Sequence, residues 1–336
     1  MKYRFVILTL ATFLIFGSEL YAQTKKSARA TVWELLEKNN PDAFYFMDEL
    51  YKFPIDIHFD NIEIMLSEPP DFMAYIDNYN TEGILDDIGT AVHESCHAYE
   101  SMKVFHYITA GELAFEFDDN YSVYFLSSDE EYVVKHSKTF PSKEFAKEIP
   151  KDYQTLRYKT YINTSTKNLG TQQKGIYGLM DEWTAYYNGF KTTVLNFPEY
   201  KKLANRDAGK YLKYMEHASS HKVAYLEFKY YILHYLYFAR NKHLDIYREV
   251  INNQQFIKAY SAVNLAYANI ISDYGERILD IREDVESRGE YFSYDGETIW
   301  IGNNGIGTFA EDEKALKEAI GGVKYVKIRE ALTAEF

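Results

Sequence analysis

Residues 93 to 97 of this 336-residue chain read His-Glu-Ser-Cys-His. Side chains four apart on a helix stand one above the other, so His93 and His97 can offer both imidazoles to one metal ion. Glu94 follows the first histidine and can reach a water beside such a metal and take its proton. The chemistry this spacing suggests is metal-assisted hydrolysis, with one Zn²⁺ as the expected ion.

Winding Asp86 to Met102 at about 100° per residue aligns Asp86, Thr90, His93, His97 and Glu100 along one stripe. The opposite side carries Ile88, Ala91, Ser95, Ala98, Tyr99 and Met102, all apolar or small. That pattern describes a helix with its back in a core and a polar, ligand-bearing front. A surface helix whose histidines face water would carry the same five residues, so the motif needs its surroundings.

Those surroundings are mostly helical in the sequence. Helices are expected near 31–39, 86–105, 171–190, 207–239 and 244–286. The seven prolines all lie at or before Pro198, which leaves the rest of the chain without the strongest helix breaker. Ile55 to Met65 alternates well enough for a strand or two. Glu112 to Phe117 and Tyr121 to Leu126 suggest a hairpin around Asp118-Asp119-Asn120. Glu290 to Ile301 suggests another, with Asp295-Gly296 as its two-residue turn.

Composition narrows the function classes. The chain carries 37 basic and 50 acidic residues, a net charge of -13. Such a surface repels phosphate backbones and argues against nucleic-acid binding. A single cysteine, Cys96, excludes an intrachain disulfide and a Cys-rich zinc module. With 46% hydrophobic residues there is enough for a sizeable core, and the 32 tyrosines suit either that core or a binding cleft. Lys2 and Arg4 precede an uncharged run from Phe5 to Phe16, and Ala22 precedes Gln23. This is the layout of a secretory signal over 1–22, with an apolar run too short to span a bilayer. The mature chain is therefore expected to be secreted or periplasmic and to have no membrane span. Cys96, unpaired in an oxidising compartment, is expected to be buried.

Thr90-Ala-Val-His-Glu-Ser-Cys-His-Ala-Tyr99 resembles the extended signature of zincin metallopeptidases. The metzincin branch would require a glycine at position 100 and a histidine at position 103, where this chain has Glu100 and Lys103. A third ligand must come from elsewhere, and Glu182 is the best choice. Gly178, Glu182, Ala185 and Gly189 share one helical stripe, and its small residues let that helix approach another closely. The segment Gly178 to Gly189 is similar to the second helix of gluzincins, zincins whose third ligand is a glutamate. Gluzincins often place an aspartate four residues after that glutamate to orient a ligand histidine; here the position is Tyr186. Asp181 lies about 100° away round the helix and is not expected to fill the place. Tyr186 or Glu100 would then have to orient the ligands. For the oxyanion, Tyr225 to Phe238 offers Tyr230, His234 and Tyr237 on one face. His234 is the choice there, against the alternative of a buried histidine in a Tyr-rich core.

The expected architecture is α+β: a mainly helical, zincin-like domain over 23–289 with a small mixed sheet and the active-site helix. A C-terminal hairpin and helix over 290–336 is expected to pack on it. The expected function is a secreted zinc metallopeptidase acting on a peptide or protein substrate, with Glu94 as general base. The alternative is a secreted Tyr-rich protein that binds peptide or glycan on an inactive zincin fold.

Overall fold

A computed structural model of the chain describes residues 24–59, 62–113 and 120–333. The proposed signal segment and most of the 112–117 arm lie outside the described residues.

The fold is α+β and mainly helical. Helix α1 covers 24–39 and runs into α2 (Pro41–Leu50), where Asn40 accepts the Ala43 N–H and Pro41 opens the first turn. Helix α3 (Thr81–Thr109) carries the His-Glu-His motif. Its start is fixed by Asn80, whose side chain accepts the Gly83 N–H at 2.8 Å. After the short α4 (Gly170–Gln173), α5 (Ile176–Leu195) runs through the middle of the molecule, packed against α3 and against α7 (Lys210–Lys242) and α9 (Gln254–Ser287). Leu179, Met180, Trp183 and Phe190 of α5 are fully enclosed. A helix buried on so many faces needs apolar residues all round, and α5 has them.

Between α5 and α7 lies α6 (Phe197–Ala204). The stretch expected as one helix over 244–286 is two, α8 (Leu244–Asn252) and α9. Asn253 breaks it by capping the second piece, accepting the Phe256 N–H at 3.1 Å.

The strands depart from the single mixed sheet expected. They form three separate antiparallel sheets: β1 (Asp56–Phe59) with β2 (Ile62–Met65), β3 (Tyr121–Ser127) with β4 (Glu130–Lys135), and β5 (Phe292–Tyr294), β6 (Thr298–Ile301) and β7 (Asn304–Gly307) in order. Strand β3 pairs with the segment that follows it. Val123 pairs with Val133 and Tyr124 with Tyr132, putting β-branched and aromatic residues side by side. In the last sheet, Asp295 N donates to Thr298 O, so Gly296 and Glu297 form the turn, one residue later than expected. The strands, α10 (Ala310–Gly321) and α11 (Val326–Leu332) pack on α7 and α9, and Leu316, Ile320, Ile328 and Leu332 join the common core. Among the described residues no helix is long and apolar enough to cross a membrane.

Many tyrosines are core residues whose hydroxyls donate to backbone carbonyls. Tyr200 reaches Leu85 O at 2.7 Å, Tyr124 reaches Tyr177 O at 3.1 Å, and Tyr235 reaches Phe140 O at 3.1 Å. Each satisfies its polar end inside the core, as a buried tyrosine must.

The small stripe on α5 does what its spacing implies. A Cβ on Gly189 would lie 2.7 Å from Gly89 O and 3.3 Å from His93 Cβ, so α3 and α5 cross backbone to backbone. Gly189→Ala should force them apart and cost ~1–3 kcal/mol in denaturant unfolding. Gly275→Ala on α9 has open space at its Cβ and should be neutral or mildly stabilising. Equal effects at the two positions would remove the close crossing as the cause.

Candidate metal centre

Because α3 and α5 run in opposite directions at their crossing, successive turns of one meet receding turns of the other. Gly89 meets Gly189, His93 meets Tyr186, and His97 meets Asp181 and Glu182. The two histidine Nε2 atoms are 3.2 Å apart, and Glu182 Oε2 lies 3.8 Å from His93 Nε2 and 3.5 Å from His97 Nε2. One ligand atom from each of the three residues falls within 4.8 Å of the others, so His93, His97 and Glu182 form a cluster that could hold a metal ion. Glu182 Oε2 is buried and has no hydrogen-bond partner among the described residues. A buried carboxylate oxygen left that way is costly, and a cation bound by the cluster would relieve it.

No protein-family model, curated protein or solved structure matches this chain.

His97 is oriented by a residue the sequence did not favour. Its Nδ1 lies 3.2 Å from Asp181 Oδ2, in spite of the rotation between Asp181 and Glu182 on α5. The crossing resolves this, because His97 sits where both residues of the turn can reach its opposite ring edges. Tyr186 does not take the orienting place. Its ring stands edge-on to His93 at 4.4 Å between centroids, and His93 Nδ1 has no partner among the described residues. Glu100 is also used differently. It is buried under β3, where its Oε1 accepts the Phe125 N–H at 2.8 Å and faces Cys96 Sγ at 3.5 Å. It pins the strand to α3 and leaves the ligands to Asp181.

The charges follow from this packing. Burial lowers the His93 imidazole well below its ordinary range, and the nearby His97 adds to the effect. Burial works the same way on His97, but the carboxylates of Asp181 and Glu182 outweigh it and hold His97 well above its usual value. Asp181 is raised by burial and lowered further than that by His97, so it stays ionised. Burial raises Glu94 and the Glu182 charge adds to it, while His97 opposes. A carboxylate moved up in this way is a better base than an exposed one.

Glu94 and the three cluster residues line a cleft of about 660 Å³. Strand β3 contributes Ser122 and Val123, and the wide turn Tyr158–Ile162 contributes Thr160 and Tyr161. Tyr161 is well fixed: its carbonyl accepts from Thr171 Oγ1 at 2.7 Å and Gln172 Nε2 at 2.8 Å, and its hydroxyl lies 3.0 Å from that of Tyr186. Behind Tyr186 stands Arg157, its guanidinium 4.3 Å from the ring and paired with Glu227 at 2.7 Å.

His234 is not brought to this cleft. Its Nδ1 pairs with Tyr325 Oη at 2.7 Å, and Phe145, Tyr230 and Tyr237 surround the ring. The face it shares with Tyr230 and Tyr237 meets the C-terminal turn, so a buried histidine in a Tyr-rich core is the correct description. Burial takes it down to about 4. Cys96 is fully buried, and burial with the Glu100 charge pushes its thiol well up, which leaves it inert. Tyr161, Asp181 and Arg157 were not singled out for these places by sequence. Asp181 adjoins Glu182 and could have been kept, whereas an irregular turn gives Tyr161 no periodic signal.

Proposed function

We propose that this protein is a zinc-dependent hydrolase of gluzincin type, cutting peptide bonds outside the cytoplasm. The observation that carries this reading is the buried, unpartnered Glu182 Oε2 converging with two histidine Nε2 atoms beside Glu94 in an open cleft. Two imidazoles and one carboxylate make a donor set that zinc takes, with a fourth position left for chemistry. Bound there, Zn²⁺ would supply Lewis-acid polarisation of a carbonyl and make water more acidic.

The chain's own residues supply the rest. Glu94 accepts the proton of the attacking water and passes it to the leaving amine. Asp181 holds the His97 ring in place through Nδ1. Burial and then the Glu182 charge push the Tyr161 phenol well up, so it keeps its proton. The Tyr161 and Tyr186 hydroxyls lie 3.0 Å apart and either can donate; when Tyr186 does, the Tyr161 proton is free for the oxyanion of the transition state. A missing oxyanion donor and a missing orienting aspartate would favour a binding protein without turnover. Tyr161 and Asp181 offer groups for both roles, which supports turnover.

Purified protein is expected to carry near-stoichiometric zinc and to cleave casein or a peptide library. A chelator should stop cleavage, and added Zn²⁺ should restore it. Protein that neither carries nor takes up zinc would end this reading.

A further inference from the structure

The metal cleft does not stop at Tyr161. Lys174, the residue that closes α4, lines it and also lines a second cavity of about 480 Å³. Asn120 is shared between the two as well, so the cavities adjoin through these two side chains. The second cavity has a chemistry unlike the first. The metal cleft is walled by Glu94, Glu100, Asp181 and Glu182, whereas the described lining of its neighbour includes Lys138 and Lys174, the amides of Asn120 and Gln173, and no carboxylate.

Lys174 is half-buried, and no described side chain forms an ion pair or hydrogen bond with its ammonium. In a chain with 50 acidic residues, lysines such as Lys38, Lys191 and Lys210 all hold a carboxylate. Near the other lysine, Glu249 accepts the Lys138 backbone N–H at 3.3 Å. The remaining titratable wall is neutral: His136 lies flat on Tyr177 at 4.1 Å, its Nε2 2.8 Å from Ser122 Oγ, and burial followed by the Lys174 charge takes it down to about 3. Of the acids in the metal cleft, Asp181 feels the Lys174 charge but is already engaged by His97 at 3.2 Å. A half-buried ammonium with amide donors beside it and no carboxylate among the described residues of the second cavity is arranged to receive an anion there.

We propose that Lys174 anchors an anion subsite where the substrate cleft adjoins the second cavity, which takes a carboxylate of the substrate peptide. The carboxylate is either the free C-terminus or an acidic side chain near it. The word substrate rests on the hydrolase reading, but the binding chemistry does not.

The test uses one acetylated, alanine-rich pentapeptide ending in Phe, prepared as free acid, as amide, and as amide with Glu in the last place. Binding is measured by calorimetry on zinc-loaded protein carrying Glu94→Gln, so that no probe is consumed. At least one carboxylate form is expected to bind about tenfold tighter than the plain amide, the scale of a charge-assisted contact. The form that does so identifies the source of the carboxylate. Adding Lys174→Met should bring the ratio to within about twofold, with zinc content and Tm unchanged, and adding Lys174→Glu should reverse the order. Equal binding of all three peptides overturns the subsite. So does a preference that survives Lys174→Met, which would place the carboxylate on the metal. Lys174-dependent binding without cleavage of any peptide by the parent would sink the hydrolase reading and leave the subsite standing. Cleavage indifferent to peptide charge would do the opposite.

Discussion

Replacing Glu94 by glutamine is expected to abolish hydrolysis while zinc content and thermal stability stay at parental levels. Glutamine keeps the shape of glutamate and its hydrogen-bonding reach but cannot take a proton from the attacking water. The loss should be at least the ~10²–10⁴-fold that general-base catalysis supplies. Stability should hold because Glu94 makes no hydrogen bond or ion pair among the described residues and stands partly open in the cleft wall. Tyr161→Phe in the same assay should lower kcat by about 10²–10³-fold, the cost of one oxyanion donor, with little change in KM. The two variants together separate proton transfer from charge stabilisation. Cleavage that persists in metal-replete Glu94→Gln protein would rule out Glu94 as the base, and an unchanged kcat in Tyr161→Phe would return the donor to the list of unassigned groups.

How far the site was legible in the sequence depends on how local each signal was. The stripe of His93 and His97 needs only the pitch of one helix, and α3 presents it as read. Glu182 was legible because a stripe of small residues announces a close helix crossing, and Gly89 against Gly189 provides it. The orienting role of Asp181 was not legible. It depends on the angle and direction at which α5 passes α3, and those are set by packing along both helices rather than by any short segment. His234 failed for a related reason. Sharing a face with Tyr230 and Tyr237 says that a histidine is buried, not what covers it, and here the cover is Tyr325 from near the C-terminus. The pairing of β3 with β4 was missed because the turn at Ser128-Asp129 competed with a more polar cluster at 118–120 that had the look of a turn. Periodicity within an element could be read from the residues; partnership between elements was readable only where small residues forced contact.

Asp181 and Glu182 offer the sharpest test of that partnership, because they are neighbours in sequence with different roles in space. Glu182→Ala removes one of the three proposed ligands and should leave the protein unable to hold stoichiometric zinc. Asp181→Ala leaves all three ligands and removes only the group that fixes His97 through Nδ1, so zinc affinity should fall by about 10–100-fold. His93→Ala should match Glu182→Ala. Competition against a chelator of known affinity orders the three variants, and circular dichroism checks that each is folded. Zinc retained by His93→Ala would move the site elsewhere. If Asp181→Ala loses more zinc than Glu182→Ala, the assignments on α5 are reversed: the ion would bind through Asp181, and Glu182, whose Oε2 lies within 4 Å of both histidines, would be the group that steadies them. The two ring nitrogens of His97 favour the first outcome. Its Nδ1 faces Asp181 and its Nε2 faces His93 and Glu182, so only Nε2 points to the place where three donors meet.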